Sequence, residues 1–324
     1  MGAGLGAFFR LLRWLGPWTS ESRVPAGVRH RDLEISASSG DHAASRIRVY
    51  VPQDRPIRGA LYVMPGVHHE GAADPRMVRF CSVLADAGMV VGSPFIPDLM
   101  SLSLTERAVK DTIKSLEFFL DLSEIPDGVK PGLFCISTAS ILGIHAASDA
   151  RLATRIGGMV LFGGFADWER SLRFMLTGEM SNGDSVEPDP LNRTVVFLNM
   201  IPWLEGAPSD PVELADLWTR FVHATWEKPE MQAPERYLGV AAELAEQARP
   251  EWRALFETGT SLRPGGLESL ERALQSWKEG PTDWLDPAVR MSQIRCPVSI
   301  VHGRDDRVIP WTEASELAAL LPSC

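Results

Sequence analysis

The sequence predicts an α/β protein: a mostly parallel central sheet with helices on both faces, interrupted by a helical insertion. Three observations carry this. Short apolar runs alternate with helical periods from about residue 30 to 165. Alternation stops from about Asp167 to Pro287, where tryptophan, proline and helical periods dominate. A buried-strand pattern resumes at Cys296-Pro297-Val298-Ser299-Ile300-Val301, so the helical stretch reads as an insertion rather than a tandem domain. The predicted organisation is an apolar and basic segment over 1–29, a core over 30–165 and 283–324, and the insertion over 166–282. Two roles stay open for the insertion: a cap over the site edge, or a helical unit with no catalytic part.

Arg31 to Ser36 and Ser45 to Val51 alternate and carry β-branched residues, so they read as strands joined by the Ser-Ser-Gly-Asp turn at 38–41. Ala60 to Met64 is a continuous apolar run ending at Pro65-Gly66, a third and buried strand. Asp74-Pro75 opens a helix with an acidic N-cap and proline in its first turn; Met77, Phe80, Cys81, Leu84 and Ala85 follow at helical spacing, and Gly88 stops it. Met89 to Ile96 is the next strand. Leu104 to Leu122 is a helix with Val109, Ile113, Leu116, Phe119 and Leu120 on its apolar face.

Leu133 to Ile136 then reads as a buried strand, Ile141 to Ala147 as a buried helix, and Ile156 to Phe162 as a strand. Within the insertion, helices are expected over Pro211–Thr225, Pro234–Ala248, Glu251–Glu257 and Leu267–Lys278, with one strand at Thr194–Leu198. A last strand over 297–302 and a helix over Glu313–Leu321 complete the pattern. Right-handed crossovers place each loop after a strand's C-terminal end along one edge of the sheet, where sites of such folds form.

Composition narrows the function classes. A hydrophobic fraction of 45% and a charged fraction of 23% are those of a globular protein. A net charge of −10 with no basic stripe speaks against a nucleic-acid partner. Cys81, Cys135, Cys296 and Cys324 lie far apart, which fits free thiols in a reducing, cytoplasmic compartment. Residues 1–18 are apolar with Arg10 and Arg13 among them, too short and too charged to span a bilayer. They read as a terminal helix covering an apolar patch or as a segment lying on a membrane surface. The first is favoured, because two arginines make a weak anchor.

The turn between Ile136 and Ile141 bears the most chemistry. Cys135-Ile136-Ser137-Thr138-Ala139 sets small side chains two residues either side of a serine at a sharp strand-to-helix turn, where flanking positions tolerate only small groups. Together with Pro65-Gly66-Val67-His68 and the strand end Gly303-x-x-Asp306-x-x-Ile309-Pro310, this resembles the α/β-hydrolase family over roughly 30–165 and 283–322. The elbow departs from the family's pattern in having Cys and Ala where glycines are usual.

The resemblance implies that Ser137 is the nucleophile, that the N–H groups of Val67 and Thr138 form the oxyanion hole, and that Asp306 is the acid of the triad. A serine hydroxyl needs a neighbouring base to become nucleophilic, and N–H donors aimed at the developing oxyanion lower the barrier. Asp305 competes with Asp306, but the spacing to Ile309-Pro310 favours Asp306; turn chemistry alone would also explain either. Ser140 is a competing hydroxyl inside the first helical turn.

The base is the difficulty. The family places a histidine after the acid, following one further strand, and none of the seven histidines here (His30, His42, His68, His69, His145, His223, His302) follows Asp306. Three explanations are open: a chain truncated at its C-terminal end, a substitute base among His68, His69 and His223, or a non-catalytic member of the fold. His145 reads as packed, and His302 as a strand-end residue beside the acid turn. No metal or nucleotide motif is present, so no cofactor is expected. The function implied is a serine hydrolase of esterase type acting on a small or medium apolar ester; the alternative is an inert protein of this fold that binds an apolar ligand or a partner protein.

Overall fold

Period two along a strand sends alternate side chains to opposite faces of a sheet, and here it sorts the core into two layers. In the computed structural model, which describes residues 2–15, 23–36 and 45–321, the strands are β1 (Val28–Ile35), β2 (Ser45–Pro52), β3 (Gly59–Met64), β4 (Met89–Phe95), β5 (Gly132–Ile136), β6 (Gly158–Phe162) and β7 (Val298–Val301). They form one sheet in the order β1-β2-β4-β3-β5-β6-β7. β2 runs antiparallel to both its neighbours, and β4, β3, β5, β6 and β7 pair in parallel. The turn expected at 38–41 lies outside the described residues.

The helices are α1 (Gly2–Leu15), α2 (Pro75–Asp86), α3 (Pro97–Met100), α4 (Glu106–Leu120), α5 (Ala139–Ser148), α6 (Trp168–Thr177), α7 (Asn192–Met200), α8 (Val212–Thr225), α9 (Pro234–Ala245), α10 (Pro250–Gly259), α11 (Gly266–Trp277), α12 (Ala288–Met291) and α13 (Thr312–Ala319). Val63 and Val91 point to one face, where Met77, Cys81, Leu84 and Ala85 of α2 cover them and Leu11 of α1 packs alongside. Tyr62, Met64, Leu133 and Cys135 point to the other, against Leu116 and Phe119 of α4 and Ile141 and Leu142 of α5. All ten residues of α5 are buried, as a largely apolar sequence with no Asp, Glu, Lys or Arg allows.

Asp74 caps α2 as its Asp-Pro signature predicts, its carboxylate accepting from the Arg76 amide at 2.7 Å. Helices α6 to α11 lie in sequence between β6 and β7. The segment Thr194–Leu198, expected as a strand, is instead part of helix α7. Its β-branched run favours a strand only where a pleated surface awaits it. Here Thr194, Val196, Phe197, Leu198 and Met200 are buried as helix, and the Thr194 hydroxyl donates to the Gly259 carbonyl at 2.9 Å. β7 is the outer strand of the sheet at that side, and Val301 and Phe162 stand exposed beside it.

Candidate active site

The serine turn follows directly from β5. Ser137 is held at φ +55°, a left-handed conformation uncommon for a residue with a Cβ. Its amide donates to the Phe162 carbonyl of β6 at 2.7 Å, and its carbonyl accepts from Ser140 at 3.0 Å, so the turn is fixed from both sides. The end of β3 presses on it. A Cβ on Gly66 would stand 3.1 Å from Ser137 Cβ and 3.2 Å from the Ile136 carbonyl, which is why only glycine lets this loop approach.

Val67 and Thr138 meet above the turn. The Val67 amide donates to the Thr138 hydroxyl at 3.3 Å, a long bond that another oxygen can replace. Thr138 precedes the first turn of α5, where amides lack intrahelical partners. Ser137, Val67, Thr138 and His68 line one cavity of about 410 Å³, whose other walls include Met77, Trp168, Met175, Val195 and Trp226. The lining is largely apolar, the usual character of a small-molecule site.

The expected acid and the candidate bases lie as follows. Asp306 Oδ1 accepts from the Val308 amide at 2.8 Å and the Ile309 amide at 3.0 Å, shaping its own turn. Its Oδ2 lies 3.4 Å from His302 Nε2, while that nitrogen bonds the Ile309 carbonyl at 2.9 Å. Burial works against a charged His302, but the Asp306 carboxylate and the Ile309 carbonyl outweigh it and raise its pKa. Of this turn only Val308 reaches the serine cavity.

His145 packs as expected, its Nε2 2.7 Å from the Trp284 carbonyl. Among the described residues no hydrogen bond joins Ser137 to a histidine. Among the described histidines only His68 lines the Ser137 cavity. His69 does not line it; its ring lies against that of His223 of α8, with centres 4.3 Å apart and the planes tilted by 40°. Burial lowers the pKa of both rings, and a neighbouring imidazole adds to it: His68 for His69, His69 for His223.

A charged cluster surrounds His68 that the sequence reading missed. Its Nδ1 accepts from the Glu70 amide at 3.3 Å and lies 3.5 Å from Asp74 Oδ2; its Nε2 lies 3.0 Å from Glu227 Oε1, though not aligned as a hydrogen bond. Arg76 pairs with both Asp74 and Glu227. Glu227 is itself left-handed, at φ +63°, just beyond α8. The available signal was Asp74, read only as a helix cap; Glu227 is 159 residues from His68 in sequence and no local pattern pairs them. Ligand atoms of His68, Glu70 and Asp74 lie within 4.8 Å of one another, as a metal site would need. Arg76 already supplies the positive charge that a cation would bring to Asp74.

No family model and no curated protein matches the sequence. Among solved structures the chain is similar to acylaminoacyl peptidase from Pyrococcus horikoshii, at 11% identity and a TM-score of 0.47, covering 92% of this chain and 35% of that one. It is also similar to a 2,6-dihydroxy-pseudo-oxynicotine hydrolase, at 14% identity and a TM-score of 0.45, covering 90% and 57% of the two chains. A third is a cold-adapted esterase from an Arctic intertidal metagenomic library, at 11% identity and a TM-score of 0.42, covering 94% and 84%. The chain spans about a third of the length of the first of these. With β2 the one reversed strand, the order β1-β2-β4-β3-β5-β6-β7 and the serine turn between β5 and α5 give this chain the α/β-hydrolase fold.

Proposed function

We propose that this chain is a serine hydrolase that acts by acyl transfer through Ser137 on a small or medium apolar ester. The observation that carries the reading is the Ser137 backbone. A non-glycine residue in a left-handed conformation is strained, and such strain persists where the surroundings over-determine it, most often at sites. The apolar cavity beside it supports an apolar acyl or alcohol group. In this reading Ser137 Oγ attacks the ester carbonyl, the Val67 and Thr138 amides receive the oxyanion, and His68 takes the serine proton and returns it to the leaving alcohol. Water then releases the acid by the same route. To act as the base, His68 must carry its ring proton on Nδ1, facing Asp74 Oδ2 at 3.5 Å, instead of accepting there from the Glu70 amide, and its bare Nε2 must exchange Glu227 for the serine hydroxyl. Helices α6 and α7 act in this reading as a cap, since they supply Trp168, Met175, Asn192 and Val195 to the cavity wall.

The inert reading has one observation in its favour: Asp306 is engaged by its own turn and by His302, and no histidine bridges it to Ser137. A fluorophosphonate probe separates the two. Wild type should label, Ser137→Ala should not, and His68→Gln should label slower by on the order of 100-fold. No labelling, or labelling that survives Ser137→Ala, removes the hydrolase reading and leaves the binder.

The size of the acyl group gives a second expectation. Trp168 lines both the serine cavity and a second one of about 410 Å³ walled by Trp203, Trp277, Trp284 and Leu285. Trp168→Ala removes the partition. The preferred p-nitrophenyl ester should shift to a longer chain; an unchanged chain-length profile would show that the two cavities stay separate.

A further inference from the structure

Four of the ten tryptophans in the sequence line one cavity, the space of about 410 Å³ that shares Trp168 with the serine cavity. Five separate segments build its wall. Glu106 comes from the first turn of α4, Trp168 begins α6, and Trp203 ends the short turn Ile201–Trp203 after α7. Trp277 ends α11, and Trp284 lies in the turn Asp283–Leu285 before α12. Tryptophan is ordinarily core, and Trp168 and Trp277 are buried, at 7% and 9% exposure. A core closes on its large rings, however, whereas these four bound a space of the size that small molecules occupy.

Charge narrows the ligand. Glu106 is the only charged residue among the described residues that line this cavity, and it is exposed. No Lys, Arg or His lines it to hold an anion. An adjoining cavity of about 360 Å³ shares Trp168, Trp277, Thr282 and Leu285, and sets Asp167, Glu169 and Asp286 against one cation, Lys278. Lys278 and Arg173 are both committed to Glu169, and Arg170 stands 3.9 Å from Asp167. Asp286 accepts only from the Ala288 amide, at 2.8 Å. Glu106 and Asp286 are therefore left without a cationic partner among the described residues.

The wall also says which kind of cation. Asn199 accepts from the Leu104 amide at 2.8 Å and donates to the Leu102 and Val195 carbonyls at 2.9 and 2.8 Å. The Thr105 hydroxyl donates to Asp98 and accepts from the Ala108 amide. These groups are spent within the fold and offer little to replace the water around a primary ammonium, which is strongly hydrated. A fully alkylated ammonium has no N–H to satisfy, and aromatic rings with a nearby carboxylate are what stabilise it.

We infer that this cavity binds an organic cation, a quaternary ammonium carrying an apolar body, with the tryptophans around the cation and Glu106 as its counter-charge. Leu104, Leu198 and Ile201 provide the wall for the apolar part. The inference does not rest on the hydrolase reading, because neither Glu106 nor Trp203 lines the serine cavity.

The test is calorimetric titration of the full chain with two probes of one shape, 4-hydroxyphenyl-trimethylammonium and its neutral isostere 4-tert-butylphenol. Wild type should bind the cation at least about tenfold more tightly than the phenol. Glu106→Gln should weaken the cation by at least about threefold, and Trp203→Leu, which keeps apolar bulk but removes the ring, by a similar factor. Glu106→Gln should leave the phenol unchanged, which separates loss of charge from loss of the cavity. Should Trp203→Leu fail to fold, Glu106→Gln decides alone, since its side chain is exposed. Equal affinity for the two probes would make this a plain apolar cavity and overturn the inference. So would a cation that does not bind, or one whose affinity is untouched by Glu106→Gln, which would place it elsewhere in the molecule.

Discussion

Replacing Glu313 by alanine should lower the free energy of unfolding by about 3 kcal/mol or more, one of the largest single-residue effects expected in this chain. Glu313 sits in the first turn of α13 and is fully buried. Its Oε2 accepts from the Ala166 amide at 2.8 Å and the Asp167 amide at 2.9 Å, and its Oε1 pairs with Arg170 Nε. One carboxylate thus satisfies two backbone donors at the start of α6 and one guanidinium. Alanine leaves all three without it, and an orphaned buried N–H costs about 1–3 kcal/mol. Arg170 keeps a partly exposed side chain that water can reach, so Arg170→Ala should cost clearly less. Glu313→Gln retains the shape and one acceptor and should fall between them. Urea unfolding of the three variants checks the order; Glu313→Ala within about 0.5 kcal/mol of wild type would refute the account. The consequence reaches the site, because the same contact sets where Trp168 begins α6 and so where the cavity wall stands.

Glu313 also shows what sequence can and cannot disclose. Its helix was legible from the apolar period of residues 313–321, but a glutamate in a first turn ordinarily faces solvent, and nothing local marks it as the most buried charge in the core. Strands β3, β5 and β6 were legible because a strand covered on both faces reads as an apolar run, and α5 because a helix buried all round has no polar stripe. Helix α2 announced itself through Asp74-Pro75. Thr194–Leu198 was misread for a physical reason: β-branched residues state a preference for a pleated surface, and the helical layer around them offered none. That β2 is reversed against β4 follows from the hairpin with β1 plus the sheet order, and only the first of these is visible locally.

The site divides in the same way. The elbow serine and the glycine loop are local features, and the sheet topology brings them to one edge. The surroundings of His68 are not local. Asp74 caps the next helix and Glu227 lies just beyond the end of α8, and the partnership depends on how the insertion folds back on the core. Histidine positions alone therefore named three candidates, of which one shares the serine's cavity. The absence of a histidine after Asp306 was legible; that Asp306 bonds its own turn and pairs with His302 was not, since the same residues serve a turn or an acid equally well.

The elbow's departure from glycine has its own explanation, and that explanation is testable. Cys135, two residues before the serine, is fully buried and directs Sγ toward α5, with Met64 Sδ 3.8 Å away on the other side. The strand and helix still approach closely because residue 143 on α5 is glycine. A Cβ there would lie 2.2 Å from Cys135 Sγ and 3.2 Å from Met159 Cε. The small residue that the elbow lacks at 135 is supplied at 143. In an open helix Gly→Ala gains up to about 1 kcal/mol, so a loss here reports the clash alone. Gly143→Ala should destabilise by about 1–3 kcal/mol, as overpacking of a filled core does. Cys135→Ala removes the sulfur the new methyl would strike. The double variant should therefore recover most of the loss, with a coupling of at least about 1 kcal/mol in a double-mutant cycle. Strict additivity of the two substitutions would mean that α5 does not owe its place to this contact. Because α5 carries Thr138 at its N-terminal end, the same displacement moves the elbow. Probe labelling of Ser137, where it occurs, should fall in Gly143→Ala and return in the pair, which ties the stability of the strand–helix seam to the position of the hydroxyl it presents.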